Sequence, residues 1–447
     1  MKSRWICILL CLFVVRGFFC FYGFDRRPLV SSNDEVIIED PALALARGQG
    51  LRLVSFPGLE LTKMWAHYPP AFFLIQAAVY KVFGFSPASS RIPGICFSLL
   101  GVAILCGILV ALFRTEYIDR FAMFASLLLL LFDPFIVVIS RVGRMEQLAL
   151  FFGLAGLAAV ICATSPLRVS LWRWYCGAVL IGLSISTHPS AVLYWITFAA
   201  LVFIARRELG IFKMALLLAI PAFAMAALWC AVYGDRSLIA LDQMIRISRI
   251  SVAPSLGMAN FLQSIRARDI DMFKQAGGTA YVLLFAGWAA LAVRAAIRPH
   301  SGPERWRSAL WVFLIAGLFQ MIAAWKFNLY VARTLLFVPL GILNLSIAIA
   351  WLPQIQRRVV AALAGAFAMV QLALFVNYFT RLTANRETWS PGRFDALVDS
   401  IPANATVLST YQLWHTFMGR GREVAIIDTS LMPDRIFWEN DISPVAR

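Results

Sequence analysis

A cluster of acidic residues follows the first apolar segment of the chain. Asp34 and Glu35 come first, and Glu39 and Asp40 complete four carboxylates within seven residues. The segment 25–91 that holds them is the longest interruption before the next apolar run, which indicates a large loop at one membrane face. A carboxylate beside a membrane is costly to desolvate unless something uses it. Such an acid is suited to act as a general base that takes the proton of a reacting hydroxyl.

Further polar residues occur at other connections that we predict on the same face. Glu146 lies at the start of an apolar run, two positions after Arg144; it can position an acceptor, help a divalent ion or pair with an arginine. The residues suited to a departing phosphate are Arg144, Lys326, Tyr330 and Arg333. The candidates for substrate contacts are His67, Tyr68 and His188. The two histidines could also bind a metal, although a lone histidine is more often satisfied by its protein neighbours, so the metal is unknown.

The composition indicates a membrane protein. Of the 447 residues, 61% are hydrophobic and 14% are charged, whereas soluble domains carry about 25% charged residues. The mean hydropathy is +0.76. We therefore expect an all-α polytopic membrane protein whose net charge of +16 lies beside anionic headgroups rather than on nucleic acid. The eight cysteines lie in or beside apolar runs without a CxxC pair, which argues against a disulfide framework.

The apolar runs predict about eleven transmembrane helices and interfacial juxtamembrane helices. The run 71–84 follows Pro69 and Pro70 and is about 21 Å long as a helix, which is short for a span. Placing it in the interface puts every short basic connection on the side of Lys2 and Arg4, as the positive-inside rule requires. The predicted spans are then 5–24, 92–113, 121–139, 147–163, 174–187, 189–205, 211–233, 279–297, 309–325, 331–351 and 359–379.

Two regions are expected along the chain. Residues 1–380 form the transmembrane domain, with 25–91 as its first external loop, and residues 381–447 form a small C-terminal extracytoplasmic lobe. The composition of the tail predicts an α/β lobe, with strands at 405–410 and 423–428 and helices at 394–400 and 411–419. Arg16 within the first span is expected to face the protein interior or to snorkel, or to contact a ligand.

Three motifs occur in order in the first part of the chain. Asp34 and Glu35 with ALALARGQG follow the first span, HYPPAFFLIQAAVYKVFGFSPASSRIPG comes next, and SRVGRMEQLALFF is the third. Together they resemble the pattern of the GT-C fold glycosyltransferases, which use lipid-phosphate sugars. The lipid A aminoarabinose and galacturonic acid transferases and the protein mannosyltransferases are the similar branches. The resemblance covers about residues 5–160; the later spans and the tail match in general layout.

The resemblance implies a first external loop with a catalytic Asp, juxtamembrane helices and a sugar donor on a polyprenyl phosphate. Asp34 is then the expected general base, and Glu35 and Glu146 are further catalytic candidates. Lys326, Tyr330 and Arg333 lie near one external turn where this family tends to carry a basic residue and a Tyr. The aminoarabinose branch has Glu, Lys, Pro where this chain has His67, Tyr68 and Pro69. That branch's lysine contact with lipid phosphate therefore does not carry over.

These features predict an inverting hexosyl- or pentosyltransferase in a bacterial inner membrane, with its active site on the extracytoplasmic face. The expected partners are a polyprenyl-phosphate-linked sugar, membrane lipids and a glycan, lipid or protein acceptor, without nucleic acid. No cofactor is specified, and a divalent metal is left open. Two alternatives are a transporter or flippase of a lipid-linked anion, which favours polar sites at the bilayer midplane, and an O-antigen ligase or polymerase. The acidic loop after the first span argues against the last.

Overall fold

The computed structural model consists of helices followed by two short strands. It describes residues 3–24, 33–55, 64–66, 68–114, 116, 118–131, 137, 140–161, 170–251, 331–350, 352, 354–384, 398–402, 405–409, 414, 417–418 and 420–426. The helices are α1 (Ser3–Phe21), α2 (Asn33–Ala46), α3 (Ala71–Phe83), α4 (Pro87–Arg114), α5 (Arg120–Leu131), α6 (Glu146–Ile161), α7 (Leu171–Ile185), α8 (Val192–Ile204), α9 (Arg206–Tyr233), α10 (Ser237–Ser251), α11 (Val331–Ala350) and α12 (Gln354–Ala384). The strands are β1 (Thr406–Ser409) and β2 (Glu423–Ile426).

The described helices agree with the predicted apolar runs. Three helical segments of the described chain are long and apolar enough to cross a membrane: Pro87–Arg114, Glu208–Met244 and Gln354–Asn377. Helices α5 to α8 are also apolar but shorter, with 12 to 16 residues, which is about 18 to 24 Å against a hydrocarbon core of about 30 Å. The predicted spans 279–297 and 309–325 lie outside the described residues. The count of about eleven spans stays a prediction.

Helix α6 lies at the centre of the helical layer and packs against both α4 and α7. Two glycines let α6 and α7 approach closely, because a Cβ on Gly156 would lie 2.9 Å from the carbonyl oxygen of Gly177. Small residues at such a crossing are typical of helix pairs in membranes. Near one end of this pair, Ser184 Oγ donates to the Ala149 carbonyl at 2.6 Å. The start of α6 is thereby held beside the end of α7.

A buried arginine of α1 forms a hydrogen bond to α5 inside the helical bundle. Arg16 is 2% exposed, and its Nη1 donates to the Leu130 carbonyl of α5 at 2.8 Å. The prediction that Arg16 faces the protein interior is therefore confirmed.

A second layer is formed by α2, α3 and parts of the tail. Helix α2 packs along α3, and one apolar cluster joins residues of these helices to the start of α6 and to the tail, among them Leu43, Phe73, Met145, Trp414 and Met418. Helix α3 confirms the helix predicted at 71–84. This layer lies over the end of the bundle at which α6 begins.

The two strands of the tail pair in parallel. Thr406 pairs with Glu423 and Ser409 with Ile426, which confirms strands within the predicted segments 405–410 and 423–428. A parallel pair requires a crossover connection between its strands, and Trp414 lies in it. The predicted helices 394–400 and 411–419 lie largely outside the described residues. The division of the chain at residue 380 stays a prediction, and α12 continues to Ala384.

Candidate active site

Glu146 is the first residue of α6, and its side chain is fully buried. Its compensating charge comes from Arg144, whose Nη2 lies 2.7 Å from Glu146 Oε1. Arg144 Nε lies 3.2 Å from the second carboxylate oxygen, so the guanidinium contacts both oxygens. A buried carboxylate needs such a partner to remain charged at tolerable cost. The sequence placed Glu146 beside two arginines, and the structure selects Arg144.

His188 is the third polar residue of this centre. The ring is 2% exposed, its Nε2 lies 3.9 Å from Glu146 Oε1, and its Nδ1 accepts a hydrogen bond from the Ser190 backbone N–H at 3.1 Å. Because Nδ1 is an acceptor, a neutral ring carries its proton on Nε2, toward the carboxylate. His188 thus caps the 3₁₀ turn Pro189–Ala191 and presents a donor to Glu146.

The start of α3 covers His188 from the side of the first loop. The ring of Tyr68 stacks on the ring of His188, with 5.8 Å between centroids. The Ala71 N–H donates to the Ser186 carbonyl at 3.1 Å, which fixes the beginning of α3 on the turn that carries His188. Tyr68 and His188, both predicted as substrate contacts, therefore lie together; His67 lies outside the described residues.

The acidic helix α2 packs against the connection that leads to Glu146. The Glu39 side chain is fully buried, and its Oε1 and Cδ occupy the space that a Cβ on Gly143 would need. Only glycine at position 143 permits this approach. The two segments that the sequence assigned to one face, helix α2 and the turn before α6, are therefore in direct contact.

Asp34 and Glu35 lie in the first turn of α2, which begins at Asn33. Their side chains lie outside the described part of the structure. Glu35 precedes Glu39 by four residues, about one helical turn, so the first turn of α2 is about 5 to 6 Å along the helix from the contact with Gly143. The backbone positions of both predicted acids therefore lie within about one and a half helical turns of Glu39, the residue of α2 that contacts Gly143.

Two buried arginines hold the end of α1, where the acidic loop begins. Arg91 Nη1 donates to the Phe24 carbonyl at 3.1 Å, and Arg141 Nη2 donates to the Gly23 carbonyl at 3.0 Å. A cation at a helix C-terminus stabilises the terminal carbonyl groups. Neither arginine was among the candidate site residues predicted from the sequence. The signal that the sequence offers is an arginine that interrupts or borders an apolar run.

The donor-phosphate candidates are described only in part. Lys326 and Tyr330 lie outside the described residues, and Arg333 is described as a backbone position in the first turn of α11. Helix α11 contacts the 3₁₀ turn Pro189–Ala191, and Tyr194 of α8 donates to the Leu336 carbonyl at 3.1 Å. The fourth candidate, Arg144, is turned toward Glu146.

Asp40 is the second fully described acid of α2. Its side chain is 1% exposed and accepts hydrogen bonds from Val54 N–H at 2.6 Å, from Ser55 N–H at 2.9 Å and from Ser55 Oγ at 2.8 Å. Burial raises the pKa of this carboxyl above its ordinary value, and the bonds from Ser55 and Val54 act in the opposite direction. Ser55 Oγ in turn accepts from Trp414 Nε1 at 2.9 Å.

Among the residues that the structure describes, no group of three His, Cys, Asp or Glu residues is arranged to hold a metal ion. Glu146 and His188 supply two side chains of the kinds that bind metals, with 3.9 Å between Glu146 Oε1 and His188 Nε2.

Comparison with solved structures identifies the fold. The chain superposes on ArnT from Cupriavidus metallidurans bound to undecaprenyl phosphate, with a TM-score of 0.59 and 14% identity over 100% of this chain and 89% of that one. The apo form of the same protein gives the same TM-score over 96% of this chain and 86% of that one. The chain has the GT-C fold. The family resemblance of the three sequence motifs is thereby confirmed at the level of fold.

A second GT-C protein supports the same fold. The oligosaccharyltransferase AglB from Archaeoglobus fulgidus, solved in complex with an inhibitory peptide and a dolichol-phosphate, matches with a TM-score of 0.51 and 12% identity over 94% of this chain. This chain spans 64% of that protein's length. No protein-family model and no curated protein sequence matches the chain.

Proposed function

We propose that the chain is a membrane glycosyltransferase that moves a sugar from a polyprenyl-phosphate donor to a hydroxyl or phosphate of an envelope glycan, lipid or protein. The reaction would take place on the extracytoplasmic face of a bacterial inner membrane. The observation that carries the proposal is the packing of the acidic helix α2 on the turn before α6, where Glu39 meets Gly143. The likeness to ArnT bound to undecaprenyl phosphate supports the class of donor.

In the proposed reaction, Asp34 accepts the proton of the acceptor hydroxyl as that oxygen attacks the anomeric carbon of the donor. The bond between this carbon and the phosphate oxygen breaks, and the polyprenyl phosphate leaves with the bonding electrons. Attack on the face opposite the phosphate inverts the configuration. Removal of the proton in the transition state is the step to which a carboxylate contributes.

Charge that develops on the leaving phosphate needs fixed cations. We assign this role to Arg333, with Lys326 and Tyr330 as neighbours in sequence. The contact of α11 with the turn after His188 supports Arg333 near the same centre. Arg144 pairs with Glu146, so we assign it to the donor phosphate only through exchange of this ion pair.

Glu146, His188 and Tyr68 form the wall on which we propose that the acceptor is positioned. The carboxylate is compensated by Arg144, and the stacked rings of Tyr68 and His188 present an aromatic surface beside it. Glu35 would support Asp34. The low exposure of Glu146 and His188 favours transfer over hydrolysis, since water is kept from the reacting groups.

The proposal is tested by Asp34→Asn. Asn keeps the shape of the side chain and can still serve at a helix start, but it does not accept a proton at neutral pH. Transfer should fall by about 10²- to 10⁴-fold, measured as the envelope glycan restored in a strain that lacks the gene. Binding of undecaprenyl phosphate to the purified variant should persist.

Glu35→Gln is the matched control and should cause the smaller loss. Wild-type transfer by Asp34→Asn, together with loss in Glu35→Gln or Glu146→Gln, would show that another acid is the base. An unchanged set of envelope glycans after deletion of the gene would reject the transferase function itself.

A further inference from the structure

A groove opens where α2, α3 and the tail meet. Its volume is about 320 Å³, and the residues that line it include Leu43 of α2, Arg47 directly after α2, Tyr80 and Lys81 of α3, Phe85 and Met418. From Asp34 to the end of α2 at Ala46 the helix rises over twelve residues, about 18 Å. The groove is therefore separate from the proposed reaction centre.

The described wall of the groove carries two positive charges. Arg47 and Lys81 are both exposed and belong to this wall, and none of the lining residues that the structure describes is acidic. Neither makes a salt bridge with another described residue. Asp40, two helical turns before Arg47, is directed to Val54 and Ser55, which use both of its oxygens. Arg47 attracts the Asp40 carboxyl only through its charge, so its exposed guanidinium and the Lys81 ammonium can still bind a ligand.

The remaining walls are aromatic and apolar, and one edge is suited to lipid. Tyr80 and Phe85 meet edge to face with 5.2 Å between ring centroids. Directly after Lys81, Val82 is 73% exposed and Phe83 is 75% exposed. A cation followed by exposed apolar side chains at the end of an amphipathic helix is the arrangement of helices that lie in a membrane interface.

We propose that this groove binds the phosphate headgroup of an anionic membrane lipid. Arg47 and Lys81 would hold the phosphate by charge-assisted hydrogen bonds. Val82 and Phe83 would contact the first part of the acyl chains. Met418 of the tail forms part of one wall, so the bound lipid would also link the tail to α2 and α3. The proposal does not depend on the transferase function.

Native mass spectrometry of the full chain in detergent tests the site, with phosphatidylglycerol and phosphatidylcholine added in equal amounts. Attraction of an anionic surface contributes about fivefold in affinity for each basic residue. The wild type should therefore retain phosphatidylglycerol in preference to phosphatidylcholine. Arg47→Gln and Lys81→Gln should each weaken retention of phosphatidylglycerol by about fivefold, and the double variant by about 25-fold.

Two controls separate this site from general electrostatics. Arg236→Gln removes one exposed positive charge from a turn outside the groove and should leave the retention unchanged. The charge-conserving pair Arg47→Lys and Lys81→Arg should keep the preference for phosphatidylglycerol. Equal loss in Arg236→Gln, or full retention in the double variant, would overturn the proposal.

The source of the phosphate is tested by competition. Glycerophosphoglycerol offers the same phosphodiester without acyl chains and should displace phosphatidylglycerol only at much higher concentration. Displacement at the concentration of phosphatidylglycerol itself would show that the groove takes a free phosphate and would overturn the lipid assignment. Equal retention of phosphatidylcholine would overturn the selectivity for anionic lipid. All of these readouts are binding measurements, so a chain without transferase activity still gives an answer.

Discussion

Asp40 and Glu146 are both buried carboxylates, but their surroundings differ in kind. Glu146 is balanced by the guanidinium of Arg144 at 2.7 Å, with His188 on its other side. Asp40 accepts hydrogen bonds from neutral donors of Val54 and Ser55 and feels the charge of Arg47 without an ion pair between the two described side chains. One carboxylate is therefore part of a charged pair beside an aromatic wall, and the other anchors a loop to a helix.

This difference in surroundings indicates which of the two buried carboxylates can contact a substrate. Each oxygen of Asp40 is occupied by the chain that it fixes, so the residue has little capacity left for a substrate. Glu146 keeps a histidine at 3.9 Å, a distance at which the pair can still adjust to a ligand. We therefore expect substitution at Asp40 to alter chiefly folding, and substitution at Glu146 to alter both folding and transfer.

The largest expected effect is that of Glu146→Gln on stability. The change removes the carboxylate charge that lies 2.7 Å from the buried guanidinium of Arg144, and breaking such a buried pair costs about 3 to 5 kcal/mol. The free energy of unfolding, measured by denaturation in detergent, should fall by this amount.

The double variant Glu146→Gln, Arg144→Met is the matched control, since it removes both charges and should recover much of the loss. A double variant less stable than Glu146→Gln would mean that Arg144 stabilises the fold through contacts other than the ion pair. The difference in stability between variants at Glu146 and at Asp40 would then not be explained by the ion pair.

Much of this arrangement is predictable from local pattern. The lengths of the apolar runs predicted the helices near 92–113 and 147–163, and the composition of the tail predicted its two strands. The order of the acidic motif, the Tyr68 segment and the Glu146 segment also indicated one shared face. In the structure, Tyr68 stacks on His188 and His188 faces Glu146.

The specific pairings were not predictable, because they join residues that are distant in sequence. Glu39 packs on Gly143, Arg141 donates to Gly23, and Trp414 donates to Ser55. A sequence shows that an arginine or a glycine interrupts a pattern, but it does not show which backbone group meets it. The choice of Arg144 rather than Arg141 as the partner of Glu146 is of this kind.

A smaller effect is expected at Asp40, with a characteristic dependence on pH. Asp40→Asn replaces one acceptor oxygen with an amide group that faces donors, which costs about 1 to 3 kcal/mol of unfolding free energy. Because the pKa of Asp40 is raised in the folded state, the folded state binds the proton more tightly than the unfolded state does. The stability that the raised pKa of Asp40 contributes is complete below the ordinary pKa of about 3.9, and it is lost as the pH rises through the raised pKa.

The stability advantage of the wild type over Asp40→Asn should therefore be larger at about pH 5 than at about pH 8. Unfolding of both proteins at the two pH values measures this. An advantage that grows toward high pH would show that the hydrogen bonds from Val54 and Ser55 outweigh burial and keep the carboxylate ionised.

The smallest effect is expected at Trp414, which connects the tail to the Asp40 anchor. Trp414→Phe removes the Nε1 donor to Ser55 Oγ. It keeps an aromatic ring against Phe85, whose centroid lies 5.2 Å from that of the Trp414 ring. The loss should be about 0.5 to 1.5 kcal/mol, the value of one hydrogen bond. A double-mutant cycle with Ser55→Ala measures the coupling directly. Strict additivity would mean that the hydrogen bond from Trp414 to Ser55 contributes no coupling energy and that the tail is held by its apolar contacts alone.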